Sequence, residues 1–463
     1  MYNGITIGDV ARATGGEIIS GQESALIKRV VHDSRSAAAG DLFVALIGER
    51  HDAHSFIEDV VEAGCSSVLV SHMDWAGGLI NGVALSQLNI VKVADTRRAL
   101  QDLASWYIRK IGVKVIGVTG STGKTSTKDM TYYVCSTKYK TGRTSGNFNN
   151  DIGLPLTVLG FDEDTEVAVL EMGMDHFGEI DLLAGLVRPQ IGLISNIGVS
   201  HMENLGSREG IMKAKMEITD YFTAEDTLII STGKDLLRRE NISGDYHLLT
   251  TGEEEDDDYR VSDIENVNDG LSFTLTHGGE EQRFYLPVPG RHNAFNAALA
   301  VAAGGLLGIS MSEAAAGLKE MELSAGRLSL KHSGGLLVID DTYNASPDSV
   351  KGALDVLDST APETKIAILG DMYELGENTL EMHRQTGEYA AASSAQKVIA
   401  IGENARYIAL GAGDKGIYFA DKKGFLNKMD ELVPDEAAVL VKGSRGMKME
   451  EIVAALAGRG EKK

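Results

Sequence analysis

The chain has 463 residues, 43% hydrophobic and 24% charged, with 53 glycines and only 7 prolines, which excludes a disordered or fibrous protein. A net charge of −23 argues against a nucleic-acid partner, because phosphate-backbone affinity needs a basic face. Two cysteines, Cys65 and Cys135, are too few for a disulfide framework, and the length predicts about three domains rather than one core.

The N-terminus, MYNGITIGDVARATGG, lacks a basic stretch followed by an apolar one. No segment approaches the ~20 apolar residues of a membrane span. A cytoplasmic protein without membrane insertion is expected, and a monomer. Residues 1–92 read as a mixed first block, with DLFVALIGER and GCSSVLVS as strands. TRRALQDLASWYIRKI is a predicted helix leading into a second block, 93–323. From Val115 onward short apolar runs alternate with helical patterns: VKVIGVTG, EVAVLEMG, IGLISNIG, LLVIDDTYN, KIAILGDM, KVIAIGEN and AAVLVKGS. Continuous Val/Ile/Leu runs spaced by helices predict buried parallel strands, hence an α/β architecture. Between them, residues 259–288 predict a β meander with Asp-Gly and Gly-Gly turns, followed by a helix over NAFNAALAVAAGGLLG. A third block, 324–463, has its own strand–helix alternation. The acidic run Glu253–Asp258 is expected to be a solvated loop.

In parallel sheets, ligands sit beyond the carboxyl ends of the strands. There the stretch GVTGSTGKTSTKD, Gly117–Asp129, stands between a strand and a helix. Counted against G-x-x-x-x-G-K-[ST], Val118 occupies the place of the first glycine. Gly-Lys-Thr at such a junction still predicts a phosphate cradle. Lys124 would lie on the β/γ-phosphates of ATP, and Thr125 would offer its hydroxyl to Mg²⁺. Glu171 ends the run VAVLE, where a carboxylate either binds Mg²⁺ or caps and pairs locally. His201 follows ISNIGVS, and a lone histidine is as readily structural as a ligand. In SREGIMKAKMEITDYF, Ile211, Lys215, Ile218 and Phe222 share one helical face, so Lys215 sits on an apolar stripe while Lys213 projects from nearly the opposite side. Such a lysine either snorkels or has an assigned partner.

TGSTGKT and GRHNAFN, in this order, resemble the Mur ligases, the ATP-dependent amide-forming enzymes of peptidoglycan precursor synthesis. The signatures GDLFVALIGERHDAHSF, GNFNNDIGLPLT, DDTYNASPDS, GDMYELG and VKGSRGM are similar to the branch that adds D-Ala-D-Ala to UDP-MurNAc-tripeptide. The resemblance implies a mixed α/β N-terminal domain, a central P-loop domain and a Rossmann-like C-terminal domain. It implies that Gly120, Ser121, Thr122, Gly123, Lys124, Thr125 and Ser126 form the phosphate loop. His292 and Asn296 would contact the nucleotide, and Arg327 and Asp341 would reach ATP from the third domain. Thr125 and Glu171 would hold one Mg²⁺ and His201 a second. Lys215 matches a lysine that relatives carbamylate with CO₂, so Lys124, Glu171, His201 and Lys215 are the implied catalytic set. Ser34 and Arg35 would hold the uridine diphosphate end, and Asn147, Asn149 and Asn150 the tripeptide. Asp371, Glu374, Ser444 and Arg445 would place D-Ala-D-Ala. The implied reaction is amide formation through an acyl phosphate, releasing ADP and phosphate. The alternatives are another ligase of the superfamily, such as one extending folate with glutamate, a P-loop kinase or switch, and a non-catalytic binding protein on this fold.

Overall fold

The structure, a computed structural model, describes residues 4–460 apart from 77, 78, 81, 82, 234, 235, 268 and 323. Three sheets carry the architecture. The first joins β1 (Glu17–Ser20), β2 (Arg29–Val31), β3 (Asp41–Val44), β4 (Ser67–Val70) and β5 (Asn89–Lys92) in the order β1-β5-β4-β3-β2. Only the edge pair β1–β5 is antiparallel. Helix α1 (Thr96–Ile111) follows over the predicted residues; the Asp95 carboxylate accepts from the N–H groups of Arg97 and Arg98, and Gly112 ends it at φ 64.

The central sheet has nine strands, ordered β7-β8-β6-β9-β10-β11-β12-β13-β14. They are β6 (Lys114–Thr119), β7 (Thr141–Arg143), β8 (Val167–Glu171), β9 (Ile191–Ile194), β10 (Thr227–Ser231), β11 (His247–Gly252), β12 (Tyr259–Val267), β13 (Gly270–His277) and β14 (Glu280–Leu286). β7 through β12 pair in parallel, and β8 is buried at every residue, as strands covered on both faces must be. β12–β14 form the antiparallel meander, and the β13–β14 turn is Gly278-Gly279 with φ 59 and 85. The chain turns back on itself at β6, which has β8 on one side and β9 on the other. This is the switch point where crossover helices leave a crevice. Helix α2 (Lys124–Cys135) leaves β6 there, and α3 (Arg208–Met216) and α4 (His292–Leu306) pack later in the chain.

The predicted helix through Phe222 is shorter than its apolar stripe. α3 ends at Met216 and tightens into a 3₁₀ turn over Glu217–Thr219. Glu217 accepts the N–H groups of Gly178 and Asp181 at the start of a neighbouring helix, which holds the chain in that tighter turn. The stripe survives: Ile211, Lys215 and Ile218 are all buried, and Lys213 is exposed.

The third sheet is β15 (Ser329–Ser333), β16 (Leu336–Asp341), β17 (Lys365–Gly370), β18 (Lys397–Ile401), β19 (Gly416–Phe419) and β20 (Ala437–Lys442), ordered β15-β16-β20-β17-β18-β19. It is parallel except at β15. Helix α5 (Pro347–Ser359) starts just beyond β16, with Ser346 as its cap. Sheet membership supports the division into 1–92, 93–323 and 324–463 that we propose for the chain; residue 323, on which one boundary falls, lies outside the described residues. The entry into the third unit is anchored. Asp129, buried on α2, accepts from the Ser324 hydroxyl at 2.7 Å and its N–H at 3.3 Å, and pairs with Arg143 at 2.9 Å. Among the described residues no helix is long and apolar enough to cross a membrane.

Tyr107 of α1 is fully buried, and its hydroxyl donates to the Phe161 carbonyl at 2.7 Å, tying α1 to the central sheet's helical layer. Tyr107→Phe removes that bond and strands a buried carbonyl, a loss of about 1–3 kcal/mol. Differential scanning calorimetry should show a lowered midpoint with an unchanged far-UV spectrum.

Candidate active site

The loop after β6 is held open by glycines and braced by its neighbour. A Cβ on Gly120, φ 152, would sit 1.9 Å from Ser195 Oγ, and one on Gly123, φ 79, would sit 2.8 Å from Asn296 Oδ1. Ser195 and Asn196, just past β9, provide the brace. The Ser195 hydroxyl donates to the Thr122 carbonyl at 2.5 Å, and the Thr122 N–H donates to Asn196 Oδ1 at 3.0 Å. The Ser121 N–H reaches the Asn196 carbonyl at 3.1 Å. Lys124 curls over the loop, its Nζ donating to the Gly120 carbonyl at 2.8 Å. With Gly123 in the left-handed region at the start of α2, the first N–H groups of that helix, on Lys124, Thr125 and Ser126, have no carbonyl ahead of them within the helix. A ring of oriented donors with the positive helix end behind it is an anion site.

These residues line a cleft of about 1650 Å³. Glu171, ending β8, forms part of its wall and is 3% exposed. Its Oε1 accepts from Asn149 Nδ2 at 2.9 Å, whereas Oε2 is buried without a hydrogen-bond partner. An orphaned carboxylate oxygen on the same cleft as a threonine of the phosphate loop fits a hard divalent cation such as Mg²⁺. His201 also faces the cleft, at φ 63, with Nδ1 3.0 Å from Asp175 Oδ1 and 3.3 Å from Glu374 Oε2. Burial, then the charge of Lys124, push its pKa down to about 4, so the ring is held neutral and able to ligate. Lys215 is 1% exposed and lies behind this wall, with no hydrogen-bond or ion-pair partner among the described residues. Burial, then the charge of Lys124, drive its ammonium well below the ordinary lysine range.

His292 and Asn296, on the first turns of α4, line the cleft beside the loop. Glu253 pairs with Arg291, so the start of the acidic run, expected to be only a solvated loop, belongs to this wall as well. Opposite, from the third unit, come Arg327 and Asp341. The Arg327 guanidinium lies 4.1 Å from the Tyr343 ring centroid, and its Nε is buried without a partner. Asp341 accepts from the Leu328 N–H at 3.2 Å and from Lys442 Nζ at 2.5 Å. Lys442, Tyr343, Asp175, Ser195 and Asn196 escaped the sequence reading. The rule that catches four of them is position: each stands at or just beyond the carboxyl end of a buried strand.

The remaining candidates divide. Asn147, Asn149, Asn150, Glu374 and Arg445 line the cleft. Asp371 and Ser444 lie beneath its surface. Asp371 spends its oxygens on the N–H groups of Glu403, at 3.1 Å, and Ala405, at 2.7 Å, while Ser444 Oγ accepts the Tyr373 N–H at 2.9 Å. Ser34 and Arg35 sit on a 3₁₀ turn away from the cleft lining, with Arg35 exposed and paired to Asp33 at 2.6 Å. Nearby in sequence, Asp52, His54 and His72 form a cluster with metal-ligand composition. The Ser71 N–H donates to His54 Nε2 at 2.9 Å, which puts the imidazole proton on Nδ1, aimed at Asp52 2.6 Å away. That nitrogen is a donor, so the cluster is a hydrogen-bonded brace of the loop rather than a cation site.

Residues 118–304 match the Mur ligase middle domain, and residues 326–445 match the Mur ligase, glutamate ligase domain. The chain belongs to the Mur ligase family. Among its relatives, the UDP-N-acetylmuramoyl-tripeptide–D-alanyl-D-alanine ligase of Bacillus subtilis is 41% identical over 456 residues, 97% of each chain. The ligase of the same name from Escherichia coli is 36% identical, covering 93% of this chain and 94% of that one. A crystal structure of MurF from Acinetobacter baumannii superposes with a TM-score of 0.88 at 33% identity, covering 98% of both chains. MurF from Thermotoga maritima in complex with ADP gives 0.82 at 27% identity, covering 94% of this Mur ligase and 98% of that chain.

Gly123→Ala places a side chain at positive φ and against Asn296, at a cost of about 1–2 kcal/mol. Isothermal titration should show ADP binding roughly tenfold weaker or worse, while the circular dichroism spectrum is unchanged.

Proposed function

We propose that this Mur ligase joins D-alanyl-D-alanine to UDP-N-acetylmuramoyl-tripeptide in the cytoplasm, forming an amide bond at the expense of ATP. The observation that carries the reading is the near full-length 41% identity to a ligase of that name, with the phosphate loop, Glu171, His201 and the third unit's Arg327 and Asp341 gathered on one cleft. The enzyme is proposed to act as a monomer.

The peptide's terminal carboxylate attacks the γ-phosphorus of ATP, giving an acyl phosphate and ADP. The dipeptide amine then attacks the acyl carbon, loses a proton, and phosphate leaves. The loop donors of Gly120–Ser126 cradle the triphosphate, and Lys124 neutralises charge on the transferred group. His292 and Asn296 hold the nucleoside side, and Arg327 and Asp341 close on it from the third unit, with Lys442 fixing the Asp341 carboxylate. Closure excludes water from the acyl phosphate. Thr125 and Glu171 would hold one Mg²⁺ and His201 a second; the ions supply charge neutralisation between the two reacting anions. Lys215, buried with no ion-pair partner among the described residues, is suited to react as a free amine with CO₂, giving a carbamate and a proton, and thereby an anionic oxygen ligand. Ser34 and Arg35 are assigned to the uridine diphosphate end, and Asn147 and Asn150 to the tripeptide. Glu374 and Arg445, exposed to the cleft, present opposite charges suited to the ammonium and carboxylate of a zwitterionic dipeptide. Asp371 and Ser444 brace the loops that carry them.

Phosphate release from ATP should require both UDP-MurNAc-tripeptide and D-Ala-D-Ala; release without the dipeptide, or none with both present, would overturn the reading. Lys215→Ala should lose nearly all activity and regain part of it with added short carboxylic acids. Full activity in that variant would exclude a carbamate.

A further inference from the structure

The three asparagines of Asn147–Asn150 look in sequence like one binding surface, yet their side chains do different things. Asn150 Oδ1 accepts the N–H groups of Gly153, at 2.8 Å, and Ile152, at 3.3 Å, capping the helix Gly153–Leu159. Asn147 makes no side-chain hydrogen bond among the described residues. Asn149 is directed at the strand end beside it. Its Nδ2 donates to Glu171 Oε1 at 2.9 Å, and its backbone carbonyl accepts the Gly173 N–H at 2.9 Å.

Two further observations concern the same contact. Glu171 Oε2 is buried and unpartnered, so the carboxylate has one oxygen committed and one left over. A Cβ on Gly173 would lie 2.9 Å from both Cγ and Nδ2 of Asn149. The Gly173 backbone is not in the left-handed region, so the missing side chain makes room for this amide rather than for an unusual conformation. The Glu171 N–H is also fixed, donating to Thr144 Oγ1 at 2.9 Å.

A carboxylate rotates freely about its last torsion unless something holds its plane. We infer that Asn149 is a positioning residue for the cation: by occupying Oε1 of Glu171 it fixes the carboxylate plane and leaves Oε2 as the ligand. This rests on the reading that Glu171 holds Mg²⁺. It separates Asn149 from direct peptide binding, which falls to Asn147 and to the free amide end of Asn150. A neutral amide suits the task, because it donates to the carboxylate without adding charge that would compete with the cation.

The test uses Mn²⁺ alone as probe, titrated into the full chain and followed by loss of the free-ion EPR signal. Asn149→Ala should weaken Mn²⁺ binding about tenfold or more, the usual cost of losing a residue that orients a ligand. Gly173→Ala, which keeps the asparagine but pushes it aside, should do the same. In steady-state assays both variants should need more Mg²⁺ for half-maximal rate, with the KM for UDP-MurNAc-tripeptide little changed. Glu171→Gln is the control. If it loses Mn²⁺ binding while both variants bind as the wild type does, the positioning role is wrong and the cation reading stands. If Glu171→Gln also binds normally, both are wrong. A raised KM for the peptide substrate with unchanged Mn²⁺ affinity would return Asn149 to the peptide site and overturn the inference.

Discussion

Bringing a carboxylate up to a triphosphate sets two like charges against each other at bonding distance, and the central unit is built around that repulsion. Two unit charges 4 Å apart at a protein surface repel by about 4 kcal/mol, and more as water is removed. The chain as a whole is of no help, since it carries a net charge of −23. Compensation has to be local, and the switch point of a parallel sheet provides it. Lys124 and the start of α2 follow β6 across the loop, and Glu171 ends its neighbour β8, while residues just past β9 brace the loop from the other side. The glycines follow from the same demand, because the backbone must close around phosphate where Ser195 and Asn296 already stand.

What the sequence discloses depends on how local each cause is. A strand covered on both faces must be apolar throughout, so runs such as AAVLVK announce themselves, and so does α1 with its aspartate cap and terminal glycine. Lys124 and Thr125 are legible because phosphate binding needs residue types at fixed spacing. Partnerships between distant residues leave no such trace. Nothing near Asn149 in sequence indicates that its amide meets Glu171, 22 residues on, and Lys442 meets Asp341 across 101 residues. Asp371 shows the converse. Its place after a strand suggests a ligand, but the loop over Glu403–Ala405 folds back and takes both oxygens.

Two non-glycine residues, His201 and Glu374, adopt left-handed backbone at φ 63, and their side chains meet across the boundary between the second and third units. Such backbone costs about 1–2 kcal/mol at each position. Both sit at the cleft, where the fold tolerates the cost in exchange for aiming one ring and one carboxylate at a shared point.

The hydrogen bonds from Ser324 to Asp129 have a geometric consequence for how the third unit joins the second. Arg327 is three residues beyond that anchor, and three residues of extended chain reach only about 10 Å. Asp129 itself belongs to the helix whose first turn faces the phosphates. While the anchor holds, Arg327 is on a short leash to α2, even though it leads into the third sheet and stacks on Tyr343 there, a ring whose centroid is 6.0 Å from the Arg445 guanidinium as well. One arginine of the third unit is thereby kept within a few residues' reach of the helix that opens at the phosphate loop, wherever the rest of that unit stands.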